Sequence, residues 1–354
     1  MNTVSSSSLQ QLELCVALYA LMLLLRAGSV PLVFAMPEHS IVGGARSKPG
    51  WFPYFVHIDS SFGGCGGALI APDLVLTAAH CKCKCKFRMT PVYIGAWKRK
   101  SLDGGAQIRY IKQWINHPKY VGNLLDFDYA LAKLEEPVEI DQSRVRLELN
   151  DNSAFPKAGT ALITMGLGVT ENSKYYSNIL KNVTIPYVSN ERCNAMYSSD
   201  DNGDGFDGIT SGMLCALDEE GAKDSCYGDS GGPIVERSYR GDGTLVDIHV
   251  GIVSFGDGCA NPNKPGVYAR TSAEIDWIRT TACEDLNSVA TFCRKSVEAA
   301  PSAFPSDVSS RLPSHAPSRS KAPTKAPTKG SKKKSSKKTS KKCKKTWKAN
   351  GLVI

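Results

Sequence analysis

Between residues 52 and 150 the apolar positions come in short runs, at 68–70, 74–77, 92–95, 108–115 and 130–134, broken by Gly, Pro and Asp. Runs this short, bounded by turn residues, suit strands better than helices. The same texture returns over residues 159–270. Two such blocks predict an all-β fold of two barrels. The pattern changes at residues 272–280, where Ile275, Trp277 and Ile278 fall at helical spacing and predict a short C-terminal helix.

Both ends of the chain differ from this body. Residues 14–25 form an apolar run of 12. A membrane span needs about 20 residues, so the run fits the core of a secretory signal over residues 1–35. Val33-Phe34-Ala35 offers small residues at cleavage spacing, with Leu25-Arg26-Ala27 as a rival site. No Lys or Arg precedes the run until Arg26, which leaves an uncleaved signal anchor as the other reading. From residue 299 the chain turns Pro-, Ser- and Ala-rich, repeats Ala-Pro-Thr-Lys at 322–329, and continues in Lys/Ser clusters. Such a stretch buries no core and predicts a disordered tail over 299–354.

Charge divides along the same line. The 354 residues carry a net +9. Residues 300–354 hold 15 Lys and Arg against one acid, Asp307, or +14, which leaves 28 basic and 33 acidic residues elsewhere, or −5. A mildly acidic body thus carries a strongly basic tail. The expected partner for the tail is an anionic surface such as an acidic polysaccharide. Nucleic acid is not expected, because Trp347 is the one aromatic among the Lys clusters. Twelve cysteines point to an oxidising compartment, and hence to secretion.

The candidate chemistry centres on residues 224–233, Asp-Ser-Cys-Tyr-Gly-Asp-Ser-Gly-Gly-Pro. A serine hydroxyl is a weak nucleophile unless a base takes its proton. Thr77-Ala78-Ala79-His80-Cys81 supplies a base, and Asp126-Phe127-Asp128-Tyr129 an acid to orient it. With Ile41-Val42-Gly43-Gly44 upstream, the order His80, Asp128, Ser230 resembles that of the trypsin-like serine proteases over roughly residues 41–281. The resemblance implies two six-stranded antiparallel β-barrels with a short C-terminal helix, and a secreted, monomeric endopeptidase that needs no cofactor and acts on protein or peptide substrates. It implies a triad of His80, Asp128 and Ser230, with the amides of Gly228 and Ser230 holding the oxyanion. It implies a primary pocket floored by Asp224, with Ser225 beside it and Gly256 and Gly266 in its walls, so that cleavage falls after Arg or Lys. It also implies bridges Cys65–Cys81, Cys193–Cys215 and Cys226–Cys259. A freed Ile41 ammonium would pair with Asp229.

The implied organisation is signal 1–35, a short propeptide 36–40, protease domain 41–282, a Cys-containing extension 283–298, and the tail. Ser40 precedes Ile41, so an enzyme cutting after basic residues would not activate itself. The insert Cys83-Lys84-Cys85 suits disulfides better than a metal, because no second ligand pair lies near. Asp200-Asp201-Asn202-Gly203-Asp204-Gly205 resembles the opening of a calcium loop, but Ser211 stands where the closing Glu belongs. A solvated loop, and no metal, is the expectation. The rival function is a catalytically silent protease homologue that acts as a binding protein.

Overall fold

Near its start the chain lays down β1 (Ala45–Arg46) and then the strands of a first barrel: β2 (Phe55–Ile58), β3 (Cys65–Ala71), β4 (Leu74–Thr77), β5 (Pro91–Ile94), β6 (Gln107–Asn116) and β7 (Ala130–Leu134). In this computed structural model they close in the order β2-β3-β4-β7-β6-β5. The described residues are 41–59, 64–82, 90–122, 125–139, 145–169, 175–198, 208–294, 348–349 and 352–353. All lie in the compact unit running from His39 onward. The signal, the propeptide, Cys83, Cys85 and the Asp200–Asp204 loop lie outside them. The tail is described only at an antiparallel pairing of Lys348–Ala349 with Leu352–Val353.

Alternation along the strands explains the closure. In β5, Val92 and Ile94 are buried while Pro91 and Tyr93 are not fully so. The inward residues form one apolar cluster that includes Phe55, Val56, Leu69, Val75 and Trp114. Register shifts at Leu69/Ala71 and Ile111/Gln113 bend β3 and β6 around that core.

The second barrel holds β9 (Ala161–Gly166), β10 (Lys181–Val188), β11 (Met213–Ala216), β12 (Pro233–Tyr239), β13 (Leu245–Phe255) and β14 (Gly266–Arg270). Its order is β9-β10-β11-β14-β13-β12, closed by antiparallel pairing of β12 with β9. β1 adds to β10, and β8 (Val145–Leu149) runs parallel beside β13. Val183, Ile185 and Tyr187 of β10 point into a core shared with Leu162, Leu214 and Tyr268. A helix that the apolar pattern does not announce, α1 (Asn190–Ser198), follows β10. Its start is marked by Ser189, whose hydroxyl accepts the Arg192 amide at 3.3 Å.

Two contacts fix the barrels against each other. Tyr54 donates to Asp247 of β13 at 2.5 Å, and Arg237 of β12 grips the same carboxylate with Nε and Nη2, both at 2.6 Å. The Gly66 amide of β3 donates to Ser230 O at 2.7 Å. A Cβ at Gly66 would stand 2.6 Å from Gly232 Cα, so only glycine allows the approach.

The helix expected at the C-terminal end is α2 (Ile275–Thr280). Beyond it, Cys283 bridges Cys293. This loop is no loose appendage: Leu286 and Ala290 are buried against Leu74, Leu76 and Ile278. Asp73, in the turn after β3, accepts from Ser288 Oγ at 2.6 Å and the Val289 amide at 3.1 Å, and pairs with Lys133. Truncating a buried leucine costs about 2–5 kcal/mol. Leu286→Ala is therefore expected to shift the urea midpoint of the whole body downward, and an unchanged midpoint would show that the loop is not part of the core.

Candidate active site

His80 sits in a single helical turn, Ala79–Cys81, directly after β4. The Cys65–Cys81 disulfide ties that turn back to the start of β3. Asp128 enters from the segment before β7, which is strained: Leu125 and Phe127 have φ of 58° and 53°. Packing holds this conformation. Phe127 stacks on His117 at 5.0 Å, and the His117 amide donates to Tyr129 O at 2.8 Å. Strain of this kind persists only where surroundings over-determine it.

Asp128 is 1% exposed and has three donors. Its Oδ1 accepts the His80 amide at 2.9 Å. Its Oδ2 meets His80 Nδ1 at 2.7 Å and accepts from Ser254 Oγ at 2.6 Å. Burial works to raise the Asp128 pKa, but His80 and the Ser254 hydroxyl together hold it below its usual value. An ionised carboxylate on Nδ1 keeps the proton there and leaves Nε2 as the basic nitrogen. That Nε2 is buried and has no hydrogen-bond partner among the described residues.

Ser230 comes from the second barrel, in the tight turn leading to β12. Cys81 Sγ lies 3.5 Å from Ser230 O, so the Ser230 turn rests against the His80 turn. Gly231, with φ of 79°, leaves no room for a side chain, because a Cβ would fall 2.3 Å from Thr77 Oγ1 and 3.1 Å from Cys81 Sγ. Among the described residues neither the Gly228 nor the Ser230 amide is given to a backbone acceptor. Gly228 takes φ of 89° with its face against the Tyr176 ring.

Asp229 between them is fully buried. Its Oδ1 accepts the Gly168 amide at 2.7 Å and its Oδ2 the Cys226 amide at 2.9 Å. Burial pushes its pKa up to about 7 against those bonds and the Arg99 charge. Ile41 is also fully buried, in the second-barrel core with Leu162 and Tyr268. Val42 O accepts the Asp224 amide at 3.2 Å, so the Ile41 stretch lies beside the pocket.

That pocket reaches from Ser230 to Asp224, Ser225, Gly256 and Gly266. Asp224 accepts the Ala260 amide at 2.9 Å. Burial pushes its pKa up to about 7, with the Ala260 and Ser225 amides pulling the other way. Ser225 Oγ shares a hydrogen bond with Tyr268 OH at 3.1 Å. Gly266 is packed closely on the carboxylate, since a Cβ there would come to 2.9 Å from Asp224 Oδ1. Gly256 faces nothing nearer than Gly258 O at 3.4 Å, so a side chain there would occupy the opening. Cys193–Cys215 and Cys226–Cys259 brace the surrounding segments.

The candidate residues therefore converge from both barrels. The strand pattern does not single out Ser254 or Gly168. Ser254 stands two residues before Gly256 on the strand that lines the pocket, and that position is the signal that points to it. Cys65, His80 and Cys81 also cluster, but with both sulfurs in a disulfide they offer no thiolate ligands.

Two closed antiparallel barrels, with the His80 turn of one against the Ser230 turn of the other, define a chymotrypsin-fold serine endopeptidase. Similarity to known proteins gives the family. The family model described as Trypsin matches residues 41–278. Trypsin 5G1 of Aedes aegypti is 38% identical over 241 residues, covering 68% of this chain and 84% of that protein. The anionic trypsin of Canis lupus familiaris is 36% identical over 245 residues, covering 69% and 90%. The trypsin of Sus scrofa is 36% identical over 245 residues, covering 69% and 96%. The chain belongs to the trypsin family of serine proteases.

Ser254 supplies a test of the Asp128 geometry. A hydrogen bond to a charged group contributes about 1.5–3 kcal/mol. Ser254→Ala is expected to lower kcat/KM on a peptide substrate about tenfold or more and to lower the thermal midpoint by several degrees. Full activity in that variant would show that the hydroxyl does not support the carboxylate.

Proposed function

We propose that this protease cleaves after Arg or Lys, using Ser230 as nucleophile, His80 as general base and Asp128 as the group that orients it. His80 Nε2 takes the Ser230 proton as Oγ attacks the carbonyl carbon, and returns it to the leaving amine. Water then repeats the cycle on the acyl-enzyme. The amides of Gly228 and Ser230 receive the developing oxyanion. Removing one such donor typically costs about 3–4 kcal/mol of transition-state stabilisation.

The observation that carries the specificity is Asp224: a 7% exposed carboxylate lining the pocket, held by the Ala260 and Ser225 amides and the Ser225 hydroxyl and lifted toward neutrality by burial. A guanidinium or ammonium entering the pocket offsets that desolvation and lowers the pKa again. Binding a cation therefore releases a proton when the pH is below about 7. Affinity for benzamidine should rise as pH climbs through that value and level off above it.

Activation is read the same way. Asp229 is buried with two amide donors and no full counter-charge in hydrogen-bonding contact among the described residues. A new α-ammonium at Ile41, already at home in the second-barrel core, would complete the pair. The bond to be cut follows Ser40, so the activator accepts a small polar residue there. Secretion through the 1–35 signal puts the enzyme outside the cell, where its disulfides are stable.

The activity test uses the chain beginning at Ile41 on paired Arg and Leu peptide substrates. Arg cleavage is expected, with Ser230→Ala reducing turnover by orders of magnitude and Asp224→Ser erasing the Arg preference while retaining serine reactivity. A folded protein no more active than Ser230→Ala would overturn the catalytic reading. An Arg preference unmoved by Asp224→Ser would overturn the pocket assignment.

The basic tail is assigned to retention on an anionic surface, from the +14 over residues 300–354 against −5 elsewhere. Many weak lysine contacts add through effective concentration, and salt weakens them because the Debye length shrinks from about 8 Å to about 3 Å at 1 M. A chain ending at Glu298 is expected to keep its peptide turnover and lose retention on an anionic matrix. Equal retention of both chains at low salt would sink the assignment.

A further inference from the structure

Three consecutive residues of the oxyanion turn are held by one segment. The Val169 amide donates to Tyr227 O at 2.7 Å. The Tyr176 ring packs on Gly228 so closely that a Cβ there would lie 2.6 Å from Tyr176 Cε1. The Gly168 amide donates to Asp229 Oδ1 at 2.7 Å. Residues 167–169 and 175–177 run side by side, with the Ser177 amide on Gly168 O at 2.9 Å and Val169 bridged to Tyr176. What holds that segment thus sets the aim of the Gly228 amide.

A side chain from the first barrel does so. Arg99, in the connection from β5 to β6, donates Nη2 to Leu167 O at 2.6 Å and Nε to Ser177 O at 3.1 Å. One guanidinium therefore spans both arms of the segment. Its Cζ lies 4.6 Å from the centroid of the Tyr176 ring, on the ring that supports Gly228. The Arg99 amide is itself fixed on Asn178 O at 2.9 Å.

We propose that Arg99 is a positioning residue for the oxyanion site, clamping residues 167–169 and 175–177 so that Tyr176 and Gly168 hold Gly228 and Asp229 in the geometry that receives the transition state. The inference rests on the catalytic reading given above. Arg99 touches no substrate. Its fork and its stacked face act through the neighbours, a geometry that Lys does not reproduce. Its positive charge also favours ionised Asp229, opposing the effect of burial. Tyr227 borders the Asp224 pocket, but its floor and wall residues Asp224, Ser225, Gly256 and Gly266 make none of these contacts, which separates a specific effect from a general loosening.

The experiment uses the mature chain, residues 41–354, and two probes. A peptide argininal adds to Ser230: Oγ bonds to the aldehyde carbon as its proton passes to His80 Nε2, the carbonyl π pair moves onto the aldehyde oxygen, and that oxygen occupies the oxyanion site. Benzamidine enters the Asp224 pocket alone. Deleting an oxyanion donor costs about 10²–10³ in kcat, so misaiming one is expected to cost about tenfold. Arg99→Met should weaken the argininal and lower kcat by about that factor, with benzamidine affinity within about twofold of the parent. Arg99→Lys should recover part of the loss. Tyr176→Ala, which also serves if Arg99→Met does not fold, should show the same split, and the double variant should lose less than the sum. Equal losses on both probes, or no loss of argininal affinity in a folded variant, overturn the proposal while the parent remains active. An inactive parent overturns the catalytic reading, and this one with it.

Discussion

The burial of Asp229 is the constraint on which the rest of the site depends. A carboxylate fully removed from water must be matched by donors or by a charge. Its two oxygens are spent on amides from Gly168 and Cys226. The match leaves no slack. A Cβ at Gly166 would fall 2.0 Å from Asp229 Oδ1, and one at Gly168 2.6 Å from the same oxygen. Two glycines on one strand and its extension are thus required by a side chain some 60 residues later. In return that side chain fixes the turn carrying Gly228 and Ser230.

Three buried aspartates show how surroundings assign different electrostatic states to one residue type. Asp128 has the His80 ring, the His80 amide and the Ser254 hydroxyl, and burial loses to them. Asp224 and Asp229 have amides and weaker partners, and burial wins, lifting each to about 7. The first is a carboxylate already satisfied. The other two gain most from a cation brought to them, one by a substrate side chain and one by a new chain terminus in the proposed scheme. The difference lies in the donors that the fold delivers.

The barrels are joined where chemistry requires it. Gly66 of the first barrel meets Ser230 and Gly232 of the second at backbone distance, and the Asp247 cluster locks Tyr54 to Arg237. Arg99 is a third such contact. Each links residues more than 60 apart in the chain. None has a local periodicity, so none leaves a trace in the pattern of apolar and polar positions.

Much is nevertheless legible in the order of residues alone. Short apolar runs read as strands because a pleated strand exposes its faces in alternation, a property of a few neighbouring residues. The runs at 74–77 and 130–134 match β4 and β7 with no change of bounds. The stretch around Ser230 and the order of His80 and Asp128 point to serine protease chemistry because those motifs, in that chain order, resemble the trypsin-like serine proteases. Helix α1 escapes such a reading, since its nine residues bury only Cys193 and Tyr197 and carry little period. The Cys283–Cys293 loop reads from its position as an extension, although its Leu286 and Ala290 complete the core. By itself, then, the sequence determined the strand texture, the residues able to do chemistry, and a body and tail of opposite charge. Tertiary structure alone decided which carboxylates are satisfied, which amides stay free, and which side chains reach across from the other barrel. Those depend on burial and on meetings such as Ser254 with Asp128, 126 residues apart, which only the closed fold brings about.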